Sequence, residues 1–264
     1  MWLTVILSII LLNISLLVIH HVGSKAIMLT WIPSRSIVLV LSMLHKKELI
    51  PWLQITWAAS SVAVVFLAVF HFTLRALRTG RLPRFSCAHK EWVLCWSIAI
   101  LATVATTAGV YYTNNNYLYL TIGIIALFGN IVNVTDAPTQ LNQPQGIKFT
   151  VYYILFINLL AIGALITIDQ LIQHGEVEWA GICSNFPILA AMLLAGSTCT
   201  TTQQAMRTTT QHVYMLAYQT WPSMAFIGTV WATEPRIGAL SVVLGSGAVL
   251  IVLCIQYTMI KNEF

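Results

Sequence analysis

The stretch PWLQITWAASSVAVVFLAVFHFTL (51–74) decides the fold. Its 24 residues include no Asp, Glu, Lys or Arg. A helix needs about 20 apolar residues to cross the hydrocarbon core of a bilayer, at roughly 1.5 Å of rise per residue. This run exceeds that length. Working outward from it, further apolar runs predict spans near 1–20, 26–44, 92–113, 117–135, 149–169, 180–199, 211–232 and 238–260. Over the 264 residues 58% are hydrophobic and 8% charged, with a mean hydropathy of +0.81, whereas soluble domains average about a quarter charged.

The expected architecture is therefore all-α: a polytopic integral membrane helix bundle of about nine, alternatively eight, transmembrane helices. The connections carry turn or breaker residues: Asn114-Asn115-Asn116, the stretch from Pro138 to Pro144, His174-Gly175 and Glu234-Pro235. None is long or of low complexity, so one transmembrane domain is expected over 1–264. The net charge of +5 then reads as a topology signal and not as a nucleic-acid footprint.

Charge placement predicts the orientation. With nine spans, Lys25, Arg75, Arg78, Arg81, Arg84, Lys90, Lys148, Arg207 and Lys261 share one side, and Lys46, Lys47 and Arg236 the other. Most acids (Glu48, Asp169, Glu176, Glu178, Glu234) fall on the second side. By the positive-inside rule the amino terminus lies outside or in the lumen and the carboxyl terminus in the cytosol. The run 26–44 is the exception to the pattern, because Pro33 and Arg35 fall near its middle and an arginine there costs about 2.5–3.5 kcal/mol on insertion scales. If that run lies on the surface there are eight spans. The first span has no basic n-region, so a retained helix is expected over a cleaved signal peptide.

Cys87, Cys95, Cys183, Cys199 and Cys254 form no C-x-x-C pair and read as small packing residues. His20, His21, His71, His89 and His212 cluster near the expected cytosolic ends of spans. His21 with His71 or His212 would satisfy a bis-histidine haem in principle. Interfacial histidines bonded to headgroups or water are the plainer account, so no cofactor and no metal are expected. Clustered histidine motifs of di-iron desaturases and H-E-x-x-H are absent.

Polar residues at helical spacing supply the candidate site. Asn130, Asn133 and Asp136 recur every three residues along one helix face, and Ala137-Pro138 ends the run. A carboxylate so close to hydrocarbon marks a site or a solvated helix end. Gln211, Tyr214, Tyr218 and Trp221 follow one continuous face, suited to a lipophilic ligand or, through the rings, to a cation. Thr103, Thr106, Thr107 and Tyr111 form a milder stripe, which interhelical hydrogen bonding would explain. The run Gly196 to Gln204, with Thr200 at its centre, is too densely hydroxylated for lipid and must bury against protein or line a wet cavity.

Two aspartates 33 residues apart disfavour magnesium-diphosphate chemistry, and no nucleotide-binding or nucleophile-elbow motif occurs. The leading expectation is a cofactor-free membrane enzyme that cyclises or isomerises a terpenoid- or sterol-like molecule. Asp136 would be its acid, oriented by Asn130 and Asn133, and Tyr214, Tyr218 and Trp221 its cation-stabilising wall. Arg35 and Thr200 are further candidate substrate contacts. The alternatives are a small-solute or proton-coupled transporter, with Arg35 binding an anion, and an assembly subunit of a membrane complex.

Overall fold

In the computed structural model, residues 2–22, 40, 49–82, 88–113, 115–135, 151–185 and 203–262 are described, and no strand occurs among them. They form α1 (Trp2–Val22), α2 (Leu49–Arg78), α3 (Ala88–Tyr112), α4 (Asn116–Thr135), α5 (Val151–Gln173), α6 (Val177–Asn185), α7 (Gln203–Ile237) and α8 (Leu240–Asn262). Four segments among the described residues are long and apolar enough to cross a membrane: Leu49–Leu77, Glu91–Tyr112, Ile154–Gln173 and Leu240–Thr258. Val5–Val18 and Tyr117–Ala126 are shorter apolar helices.

The stretch that decides the fold also organises it. α2 packs against α3, α4, α6 and α7, and its window is the most buried of the four spans. From it Trp52, Leu53, Ile55, Ala58 and Ala59 enter a central cluster with Ile168 and Ile172 of α5, Ala180 of α6 and Phe226, Ile227 and Val230 of α7. Val40, the described residue of the 26–44 run, is fully buried in the same cluster. On its other side α2 meets α3 through rings: Phe66 and Phe70 lie 5.7 and 5.5 Å from the Trp96 ring, and Phe70 stacks on Trp92 at 6.4 Å. The outer faces of α3 and α8 present Leu101, Val104, Val243, Leu250 and Ile251, an apolar exterior suited to lipid.

α1 docks on α5 differently. Asn13 and Asn158 exchange amide hydrogen bonds, Asn13 Nδ2 to Asn158 Oδ1 at 3.0 Å and Asn158 Nδ2 to Asn13 Oδ1 at 3.1 Å. Leu12, Leu16, Ile154 and Ile157 pack around the pair. Such interhelical bonds contribute about 0.6 kcal/mol on average in a bilayer, so the pair sets register more than it adds stability.

Three sequence expectations need correction. The run 211–232 lies within a longer helix, α7, so Glu234-Pro235 is not a connection. Pro235 falls in the last turn, where it removes the helical donor to Trp231 O, and the chain reverses at Gly238, whose φ of 53° suits glycine. α2 reaches Arg78, so Arg75 and Arg78 belong to its last turn, where cations favour the negative end of the helix dipole. In the threonine stripe of α3, Thr103 and Thr106 spend their hydroxyl protons on their own helix, Thr103 Oγ1 donating to Ala99 O (2.7 Å) and Thr106 Oγ1 to Ala102 O (2.8 Å), and not across to a neighbour. The His174-Gly175 turn stands where expected. The rest of the 26–44 run, the Pro138 to Pro144 stretch and residues 186–202 lie outside the described residues.

Candidate functional site

Three helices are locked together by one indole. Trp57 of α2 lies between α4 and α7, its Nε1–H directed at Leu120 O (3.4 Å) and its ring 6.5 Å from that of Trp231. Gly123 of α4 and Gly228 of α7 make room for it. A Cβ on Gly228 would stand 2.7 Å from Trp57 Cζ3, and one on Gly123 would overlap the indole itself. Two turns along α2, Val64 clusters with Ala126 of α4 and Met224 of α7.

These two contacts fix the relative directions. Passing from Trp57 to Val64 moves forward along α4, from Gly123 to Ala126, and backward along α7, from Gly228 to Met224. So α4 runs parallel to α2 and α7 antiparallel. Residues seven apart share a helix face and differ in height by about 10 Å. One such step beyond the Val64 cluster reaches His71 on α2, Asn133 on α4 and Ala217 beside Tyr218 on α7. That end of α2, α4 and α7 is thus one level.

α8 joins at the same level. Proline at 222 has no N–H, so the carbonyl of Tyr218 four residues earlier loses its helical partner. Gln256 of α8 replaces it, donating from Nε2 to Tyr218 O at 2.8 Å. The antiparallel α7–α8 pairing that permits this is close because Phe226 and Val230 pack over Gly245. Gln256 is 1% exposed and Tyr218 0%. The rings of Tyr218 and Trp221 meet edge to face at 5.8 Å. Gln256 Oε1 and Trp221 Nε1 are buried and have no hydrogen-bond partner among the described residues.

Of the sequence candidates, Tyr218 and Trp221 stand side by side in this level. Asn130 and Asn133 belong to α4, four and seven residues past Ala126. Tyr214 lies one turn before Tyr218 on α7. Asp136 follows Thr135, the last residue of α4, and lies outside the described residues, as do Arg35 and Thr200. Asp169, the other aspartate, accepts a bond from Gln173 Nε2 (2.6 Å) on its own helix, α5. His21 is exposed at the end of α1, whereas His71 is buried in α2.

His71, Pro222 and Gln256 are the residues that sequence reasoning did not bring to the site. Signals existed for each. Trp57, Val64 and His71 are spaced by seven; Pro222 stands four after Tyr218; Gln256 is a lone amide in an apolar run. No family model, curated protein or solved structure matches this chain.

Proposed function

We propose that this chain is a membrane-embedded enzyme that cyclises or isomerises a lipophilic, terpenoid- or sterol-like molecule by acid–base chemistry. One observation carries the reading. Polar and aromatic residues of three helices, His71 of α2, Tyr218 with Trp221 of α7, and Gln256 of α8, lie at one level of an otherwise apolar bundle. In hydrocarbon such groups are costly and mark binding or chemistry.

The step needs no co-reactant. Asp136, one residue beyond α4, gives its proton to a carbon–carbon double bond. The carbocation so formed loses a neighbouring proton directly, or is first attacked by a second double bond of the same molecule and the new ring cation then loses its proton. Either way that proton returns to the Asp136 carboxylate, directly or through His71, so the product is an isomer of the substrate. Tyr214, Tyr218 and Trp221 hold the cation against their faces, a contact worth about 2 kcal/mol or more once water is excluded. Asn130 and Asn133 orient the acid, and Arg35 and Thr200 are kept as outer substrate contacts.

The reading includes a nine-span topology with the amino terminus outside or in the lumen and the carboxyl terminus cytosolic. The buried position of Val40 supports placing 26–44 within the bundle. A transporter is the second reading, favoured by Pro222 inside α7, where one helical hydrogen bond is missing at a polar level.

Expression of the chain alone in a lipid-supplying host, with metabolite profiling beside solute uptake, tests both. A new isomer of a host isoprenoid or sterol is expected, and Asp136→Asn is expected to abolish it with expression unchanged. Asp169→Asn should retain most of it. Uptake without a new product would replace the enzyme by the transporter, and normal product from Asp136→Asn would remove the acid–base role.

A further inference from the structure

We propose that the end of α2 carries a docking surface for anionic lipid, with Arg75, Arg78 and Arg81 bound to the phosphates of the adjoining leaflet. Two ring contacts set the scale. Phe66 pairs with Trp96 and Phe70 with Trp92, so α2 and α3 are antiparallel, and Phe66 and Trp96 share one height. Tyr111 lies fifteen residues beyond Trp96 in one direction, and Arg75 nine beyond Phe66 in the other. At roughly 1.5 Å per residue the two are about 36 Å apart along the helices. Tyr111 belongs to an exposed aromatic group drawn from three helices. It stacks on Trp179 of α6 at 4.7 Å and meets Tyr112 edge to face at 5.4 Å, and Tyr117, at the start of α4, is 82% exposed. Amphipathic rings of this kind settle at the headgroup level of a bilayer. The hydrocarbon is about 30 Å thick, and the bilayer with its headgroups about 40–45 Å. With the rings at one headgroup level, the arginines reach the opposite one.

The local structure turns these charges outward. Phe72 is exposed, and so is Arg75, three residues on along the same face, so the outer surface of α2 passes from an aromatic ring to a guanidinium within one turn. Gly80, with a φ of 72°, then reverses the chain. The reversal is closed by Gly80 N–H to Leu77 O (3.4 Å) and Arg81 N–H to Ala76 O (3.0 Å), which holds the exposed Arg81 against the last turn. Between positions 75 and 90 stand five Lys or Arg and no Asp or Glu. A guanidinium matches the oxygens of a phosphate with two parallel N–H donors. Phosphatidylcholine offsets its phosphate with a quaternary ammonium, whereas a lipid of net negative charge does not. Each basic side chain near such a surface favours it by about a factor of five. The partner is therefore an anionic headgroup, and in the proposed topology it belongs to the cytosolic leaflet.

The test titrates a fluorescent-tailed phosphatidylglycerol, and a phosphatidylcholine with the same tail, into the full-length protein in neutral-detergent micelles. Energy transfer from tryptophan reads the bound fraction. At low salt the phosphatidylglycerol is expected to bind at least about fivefold more tightly. That preference should vanish at about 1 M salt, where the screening length is about 3 Å. Arg75→Gln, Arg78→Gln and Arg81→Gln made together should remove the preference and leave phosphatidylcholine binding unchanged, the second lipid serving as the check on folding. The same three positions changed to Lys keep the charge and should retain most of the preference. Arg236→Gln is the control, because Arg236 ends α7 at the opposite end of the bundle, and it should change nothing. Equal affinity of the two lipids for the unaltered protein at low salt overturns the proposal. So does a preference that survives the triple Gln variant.

Discussion

Trp57 shows how one side chain sets the geometry of three helices. Its indole fills notches at Gly123 and Gly228, and the height of every residue on α4 and α7 relative to α2 follows from that seating. Adding a single methyl at either notch forces a rigid bicyclic ring to move. Gly123→Ala is therefore expected to destabilise by about 1–3 kcal/mol, as overpacked cores do. Gly109→Ala is the matched control, since its Cβ would meet nothing within 4 Å, and it should be neutral or slightly stabilising. Thermal unfolding of both in detergent compares them, and equal stability would contradict the notch. If the site depends on that seating, Gly123→Ala also lowers product formation in the profiling assay although Gly123 is far from the chemistry. Proximity in sequence made Asn130, Asn133 and Asp136 legible as one stripe. It said nothing of how α2 meets α4, because no local signal says which face of α2 does so.

Among the elements, α7 is the one whose behaviour departs most from its sequence. Two prolines within it suggest an interrupted segment, yet the helix is continuous from Gln203 to Ile237. Continuity at Pro222 depends on α8, whose Gln256 supplies the bond the proline cannot. A coupled pair is thus predicted. Gln256→Leu alone leaves Tyr218 O unsatisfied in an apolar bundle and should cost about 1–3 kcal/mol. In the Pro222→Ala background the backbone supplies that bond, and the same substitution should cost at least about 1 kcal/mol less. A double-mutant cycle on unfolding in mixed detergent measures the coupling, and additive effects would show that the two residues act independently. The Asn13–Asn158 clamp makes the complementary point. Each asparagine reads as an isolated polar residue in its own run, and the exchange of two amide bonds exists only when α1 lies on α5.

Across the whole molecule the proposed topology joins the charge pattern to the packing. α2 ends in Arg75 and Arg78 followed by Arg81, at the same end of the bundle as His71 and the Tyr218–Gln256 level. The positive-inside rule predicts that end in the cytosol, which the proposed topology adopts. Lys25→Cys and Lys46→Cys, each in a chain without its native cysteines, should react with an impermeant thiol reagent from opposite sides of the membrane. Reaction from one side would reduce the spans to eight. A reporter fused after Arg84 should be active in the cytosol, and cleavage between Arg78 and Lys90 by external protease would invert the orientation.

Composition and run length by themselves determined that the chain is helical and built for a membrane, because hydrocarbon leaves a backbone no other partner than its own helix over an uninterrupted apolar run. Helix positions followed to within a few residues wherever a run was long, as at α2, α4 and α8. Spacing within one helix also placed Tyr218 beside Trp221, a consequence of helical geometry alone. Only the tertiary structure decided that α2 is the hub, that Thr103 and Thr106 of α3 close on their own backbone, and that His71, Tyr218 and Gln256 share one level. Apolar helices look alike to one another in sequence, since lipid and protein neighbours are equally hydrocarbon-like and the outward face carries no polar mark. What distinguishes their mutual faces is shape, an indole against two glycines and an amide against a proline's orphaned carbonyl, and shape of that kind exists only between helices.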